Sequence, residues 1–203
     1  MSINLNWDSE IDFDLFSIVQ SGKTLKLKYD NQNFKIISDT LYCPFDCSEN
    51  TQSWAQHKQW SVSCNILNNE FANFLNKLDA KIKSLLQDKE YIDESTLYRN
   101  VLYSNTNYTT LRLNLKRNNK DGSFISSIFD IDKNKIYIND NNISNQFTKN
   151  HIKAVFECEK LYVYNNKAGS VWNLDQSRFV VYDNEEFKNV ELNEQIVNCL
   201  IED

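Results

Sequence analysis

Four residues in the first third of the chain have the types of a metal site. Cys43, Cys47, His57 and Cys64 read C-x3-C-x9-H-x6-C, and thiolate with imidazole suits tetrahedral zinc. The spacing matches no common zinc finger, and Cys64 falls on the apolar side of an alternating segment. Zinc and buried thiols therefore stay open as alternatives, and the expectation carried forward is no metal and no cofactor. Hydrolytic chemistry is poorly supplied. Only two histidines occur, His57 and His151, and there is no GxSxG, P-loop or HExxH pattern. The acid pairs Asp12/Asp14 and Glu185/Glu186 sit in strongly acidic ends, where solvated charge is the simpler reading. A non-catalytic protein is expected.

Basic and aromatic residues give a more consistent pattern. Lys26 and Lys28 alternate with Leu25 and Leu27; Arg112 and Lys116 lie opposite Leu111, Leu113 and Leu115; Arg117 and Lys120 follow in a turn. Tyr42, Phe45 and Trp54 fall in an irregular stretch, and Tyr162 and Tyr164 lie opposite Leu161 and Val163. Cations that track phosphates, together with rings that stack on bases, are what sequence-tolerant binding of a single nucleic-acid strand requires. The candidate contact set is Lys26, Lys28, Tyr42, Trp54, Arg112, Lys116, Arg117, Tyr162, Tyr164 and Arg178.

The elements that would position these residues are mostly short strands. TLKLKY (24–29), a turn at 30–33 and FKII (34–37) form a hairpin pattern. Residues 38–57, which hold the single proline, read as a long loop, and QWSVSCNIL (59–67) as a strand. Phe71, Phe74, Leu75, Leu78, Ile82 and Leu85 make one apolar helical stripe. A second helix is predicted over Asp93–Tyr103, capped by Asp93 or Ser95. TLRLNLKR (110–117), FISSIFDI (124–131), KIYI (135–138), HIKAVFE (151–157) and LYVY (161–164) continue as strands. In the last segment, SVWNLDQSRFVVY, the apolar phase slips between Leu174 and Phe179. A bulge near Asp175–Ser177 would account for this and would bend the strand as a small barrel requires. Strands interrupted by helix predict a mainly β fold with a helical insertion over about 69–104, an OB-like antiparallel β-barrel, with a β-sandwich as the alternative.

Composition sets the outer limits. At 203 residues, with 41% hydrophobic and 25% charged residues, the chain can bury a core of its own. It has no apolar run of transmembrane length. The acidic opening, MSINLNWDSEIDFDLF, lacks a signal pattern, and five cysteines do not suggest a disulfide framework. An intracellular protein without a membrane role is expected. The net charge of −6 is unevenly distributed. Residues 1–20 carry four acids and no base, and residues 183–203 carry seven acids against Lys188. The body, 21–182, has 21 bases and 17 acids. A basic body between acidic ends suits a polyanion partner, with the ends competing for that site or recruiting other proteins.

Against this background, Gly169, Trp172, Leu174 and Gln176 form G-x-x-W-x-φ-x-Q, where φ is apolar. This resembles the last strand of the single-stranded DNA-binding proteins of large nucleocytoplasmic DNA viruses. KTLKLKYDNQNFKI (23–36), KLDAKIKSLL (77–86), STLYRNVLYS (95–104) and TLRLNLKR (110–117) resemble other segments of that family in the same order. The resemblance covers roughly 20–182 and departs from the family pattern at Ala168 and Asn173. It implies an OB-fold that holds single-stranded DNA during viral replication or repair, at the replication site of the host cell or in the virion. Replication proteins docking on the acidic C-terminal segment and self-association are the partners it adds. The alternative is a virion structural or protein-interaction module that uses the same fold without nucleic acid. On either reading, Trp172 and Leu174 close the barrel.

Overall fold

The computed structural model describes residues 2–50 and 56–182. Its strands are β1 (Ser2–Asn6), β2 (Phe16–Ser21), β3 (Thr24–Tyr29), β4 (Asn33–Cys43), β5 (Ser48–Glu49) and β6 (Trp60–Ile66), followed by helix α1 (Asn69–Asp88). Then come β7 (Leu97–Arg99), β8 (Leu102–Ser104), β9 (Thr109–Leu115), β10 (Ser127–Phe129), β11 (Lys135–Ile136), β12 (Asn150–Tyr164) and β13 (Lys167–Val180). The protein is mostly β with one α-helix among the described residues. No helix there is long and apolar enough to cross a membrane.

Five strands pair in a ring. β4 pairs antiparallel with β6, β6 with β9, β12 with β13, and β12 with β4. A short parallel pairing of β13 with β9, Asn173 to Asn114 and Leu174 to Leu115, completes the circuit. Alternation, reset on β4 by a register shift, sends Ile36, Leu41, Val62, Cys64, Leu111, Leu113, Ile152, Phe156, Trp172 and Leu174 into the core. Trp172 packs edge-on against Phe156, with ring centroids 5.5 Å apart, and its indole N–H donates to Ser170 Oγ at 2.8 Å.

The ring bends through bulges. In β13 the register jumps from Gln176 opposite Val155 to Leu174 opposite Phe156, leaving Asp175 as the extra residue, where the slipping apolar phase placed it. β12 has its own at Glu159, between Cys158 opposite Trp172 and Lys160 opposite Val171. The shift in the β4–β12 register falls at Ser38–Asp39, where the Ser38 hydroxyl accepts from Ala154 N–H at 2.8 Å. Near the β9–β13 junction, Ser126 Oγ accepts from Lys116 N–H and donates to the Leu174 carbonyl. Buried hydroxyls thus satisfy backbone groups that the ladder leaves over.

Several sequence expectations change here. β4 runs on to Cys43, so 38–43 is strand and not loop, and HIKAVFE and LYVY are parts of one strand, β12. The acidic N-terminal stretch contributes β1, which pairs parallel with β4, and Trp7 packs on Phe71 of α1. The helix forms as expected. Asn68 caps it by accepting from Glu70 and Phe71 N–H, and the buried stripe ends on Leu86.

The second helix, over Asp93–Tyr103, does not form. Asp93 instead accepts from Ser95 N–H, Ser95 Oγ and Thr96 Oγ1, making a turn. Leu97–Arg99 then pairs with Lys167–Gly169. Asp79 of α1, 4% exposed, accepts from Tyr98 Oη at 2.7 Å and Val101 N–H at 2.9 Å. Burial pushes the Asp79 carboxyl above its ordinary value, against the two donors. These long-range partners outweigh local helix propensity.

Gly169 is required by close approach. A Cβ there would stand 2.7 Å from Tyr162 Oη and 3.0 Å from the Arg99 carbonyl.

Two substitutions test this account by chemical denaturation. Trp172→Ala should cost about 3–5 kcal/mol through the cavity it leaves. Asp79→Ala should cost about 1–3 kcal/mol by stranding two donors, and Asp79→Asn should cost less. Equal losses for the two Asp79 variants would show that its acceptor role is unimportant.

Candidate nucleic-acid interface

Register aligns a row of side chains across six strands. Tyr103 of β8 faces Thr110 of β9, Thr110 faces Asn65 of β6, Asn65 faces Tyr42 of β4, Tyr42 faces His151 of β12, and His151 faces Val180 of β13. The residues beside them, Leu102, Leu111, Cys64, Leu41 and Ile152, are buried, so the row lies on the outer face. Tyr103 is 70% exposed. The rings of Tyr42 and His151 are 4.9 Å apart between centroids, and Tyr182 stacks on His151 at 5.0 Å.

Cations flank the row on both sides. Two residues along β9 from Thr110 is Arg112, exposed, with its Nε donating to Ser61 Oγ at 2.9 Å. One outward step along the neighbouring strands, about 7 Å at strand rise, Thr40, Lys153, Arg178 and Phe129 are aligned across β4, β12, β13 and β10. The next step aligns Ile37, Val155, Gln176 and Ser127. Most residues of these two rows, with Ala154, Ser177 and Lys133, line an open cleft of about 310 Å³. Among the described residues, Lys133, Lys153 and Arg178 make no ion pair.

Several of the other sequence candidates have partners of their own. Lys116 donates to Glu157 at 2.7 Å and lies 3.8 Å from Asp175, which also holds Lys35 at 2.7 Å. Arg117 is tied to Asp140 at 2.5 Å and lies over the Phe124 ring at 4.1 Å, its side chain only 4% exposed. Lys26 donates to the carbonyl of the bulged Glu159, and Lys28 to Asn33 Oδ1. Tyr162 is half-buried across Gly169, Tyr164 is exposed at the far hairpin end, and Trp54 lies outside the described residues. The outer face therefore gathers Tyr42, Arg112 and Arg178 from the candidate set and adds Tyr103, Phe129, Lys133, His151, Lys153 and Gln176. Alternation in HIKAVFE, which places His151, Lys153 and Val155 opposite Ile152, Ala154 and Phe156, was the available signal for part of that group.

Cys43, Cys47 and Cys64 are buried, with Cys43 Sγ and Cys64 Sγ 3.6 Å apart. The hydrogen bond to Cys43 together with burial raises the Cys64 thiol well above its ordinary value, and burial pushes Cys47 up to about 12. His57 lies against Gly122, whose Cβ would come within 2.7 Å of its Nδ1. Among the described residues, no three of the ligating types form a group that could hold a metal.

The two arginines should separate in experiment. Arg117→Ala should lower stability by about 1–3 kcal/mol, since it strips a charge-assisted hydrogen bond and a ring contact from a buried side chain. Arg112→Ala should melt close to wild type, because an exposed charge adds little. Thermal melts of both variants check this, and a large loss for Arg112→Ala alone would reverse the assignment.

No family model and no curated protein matches the sequence. Among solved structures, the fold is similar to the single-stranded DNA-binding protein from bacteriophage Enc34 in complex with ssDNA, with a TM-score of 0.50 at 8% identity over 83% of this chain and 97% of that one. A C-terminal truncation of the same bacteriophage protein gives a TM-score of 0.50 at 8% identity over 83% and 96%. At that identity the likeness is one of fold. The chain has a fold like that of phage single-stranded DNA-binding proteins.

Proposed function

We propose that the ring of strands is an OB-like barrel and that the protein binds single-stranded DNA without catalysis. The observation that carries this reading is the row crossing the outer face, which holds Tyr103, Tyr42 and His151 and has cations on both sides. A strand laid along the exposed Tyr103 and the packed Tyr42–His151–Tyr182 group would meet aromatic surface at both places. Arg112 on one flank and Lys153 with Arg178 on the other would meet its phosphates. Stacking of this kind tolerates any base, because every base has a π-face. What the phage neighbours bind, ssDNA, supports the same reading. The motif resemblance extends it to a protein that shields single strands in viral replication or repair, working where that DNA is copied. The acidic segment 183–203 would then recruit replication proteins.

Fluorescence anisotropy with a labelled oligothymidine at several salt concentrations tests the function. Binding should weaken with salt, with a slope of roughly −0.7 per phosphate contact, and Arg112→Ala should flatten the slope by about that amount. Tyr42→Ala should lose about 1–3 kcal/mol of affinity if a base stacks there. No binding at low salt would reject the proposal and favour the structural module.

A further inference from the structure

We infer that the cleft between β4, β12, β13 and β10 is a nucleotide pocket that takes one base of the bound strand on its apolar floor and that nucleotide's phosphate on Lys153 and Arg178. The inference rests on the single-strand reading and goes beyond it by assigning a specific subsite.

The argument starts from charge. The described lysines and arginines nearest the bulge are neutralised: Lys35 and Lys116 by Asp175 and Glu157, Arg117 by Asp140. Lys133, Lys153 and Arg178 share one cleft and have no acidic partner among the described residues. Asp175, the acid next to Gln176 in sequence, is held by Lys35 and so does not pair with them. Lys153 and Arg178, opposite one another on β12 and β13, put two like charges side by side at one opening, which favours an anion.

The floor narrows the class of anion. Ile37, Phe129, Ala154 and Val155 are apolar, which a free phosphate would not need and a flat base would fill. Phe129 is in register with Arg178, and Arg178 with Lys153, so one ring and two cations lie side by side on adjacent strands. Gln176 supplies an amide that can donate to or accept from a base edge. At about 310 Å³ the space is at the small end for ligand sites, and one base would fit it. The cleft also lies one outward step from His151, so the nucleotide it holds can be continuous with a strand on the aromatic row.

Two probes of equal length separate base from phosphate: an oligothymidine and an oligomer of abasic deoxyribose phosphates. Phe129→Ala should weaken oligothymidine binding on the order of tenfold and leave the abasic probe unchanged. The double variant Lys153→Gln with Arg178→Gln should weaken both probes and lower the salt slope by about 0.7, the value for the one phosphate they share. Phe129→Leu, which keeps apolar volume without the ring, should follow Phe129→Ala and guards against loss of folding. If oligothymidine binds these variants as it binds wild type, while Arg112→Ala is impaired, the pocket is overturned and strand binding stands. If wild type binds neither probe at low salt, the underlying reading fails and takes the pocket with it.

Discussion

The closure of the ring depends on one extra residue. A sheet of this length returns to its starting strand only if a strand turns sharply, and β13 does so where Asp175 opposes nothing on β12. On the N-terminal side of the bulge, Trp172 and Leu174 face inward and β13 reaches β9. On its C-terminal side, Gln176 and Arg178 line the outer cleft, and β13 now pairs with β10. The bulge both closes the core and aims the cleft. The Asp175 carboxylate holds Lys35 of β4 and approaches Lys116 just beyond β9, so the kink is tied to two other staves of the ring.

That ion cluster also sorts the cations. Lys35, Asp175, Lys116 and Glu157 have side-chain exposures between 14% and 25%, so their pairing is shielded from water and salt more than a surface bridge would be. Lys153 and Arg178, on the same two central strands, have no such acids opposite them. The outer face is therefore divided along its length into an end whose cations are paired with acids and an end where, among the described residues, Lys153 and Arg178 are not. An overall charge of −6 hides that division completely.

Strands with clean alternation were legible in the sequence: TLKLKY, QWSVSCNIL and TLRLNLKR each correspond to a strand within a residue or two, and the Phe71–Ile82 stripe to α1. The Asp175 bulge was legible because apolar residues on either side make the phase slip visible. The bulge at Ser38–Asp39 was not, since the polar run Ser38–Thr40 interrupts the apolar pattern and reads as a break, and β4 was cut short as a result. Glu159 divided β12 for the same reason. For the interface, alternation gives a side chain's direction but not its partner. Arg112 and Lys116 obey the same period, yet Lys116 is claimed by Glu157, 41 positions away, and Arg117 by Asp140, 23 positions away. Such pairings arise from topology. The same holds for the failed helix after Asp93, whose competitors are Asp79 and the start of β13.

The β4–β6 seam of the ring is short, Leu41 to Ile66 and Tyr42 to Asn65, and directly inside it Cys43 and Cys64 hold their sulfurs 3.6 Å apart with no exposure to solvent. A fully covered thiol reacts with an alkylating reagent only when its cover lifts. The two cysteines therefore act as a built-in clock for the breathing of this seam. Because Tyr42 and Asn65 sit on its outer side, anything resting on that face would be timed by sulfur chemistry within the core.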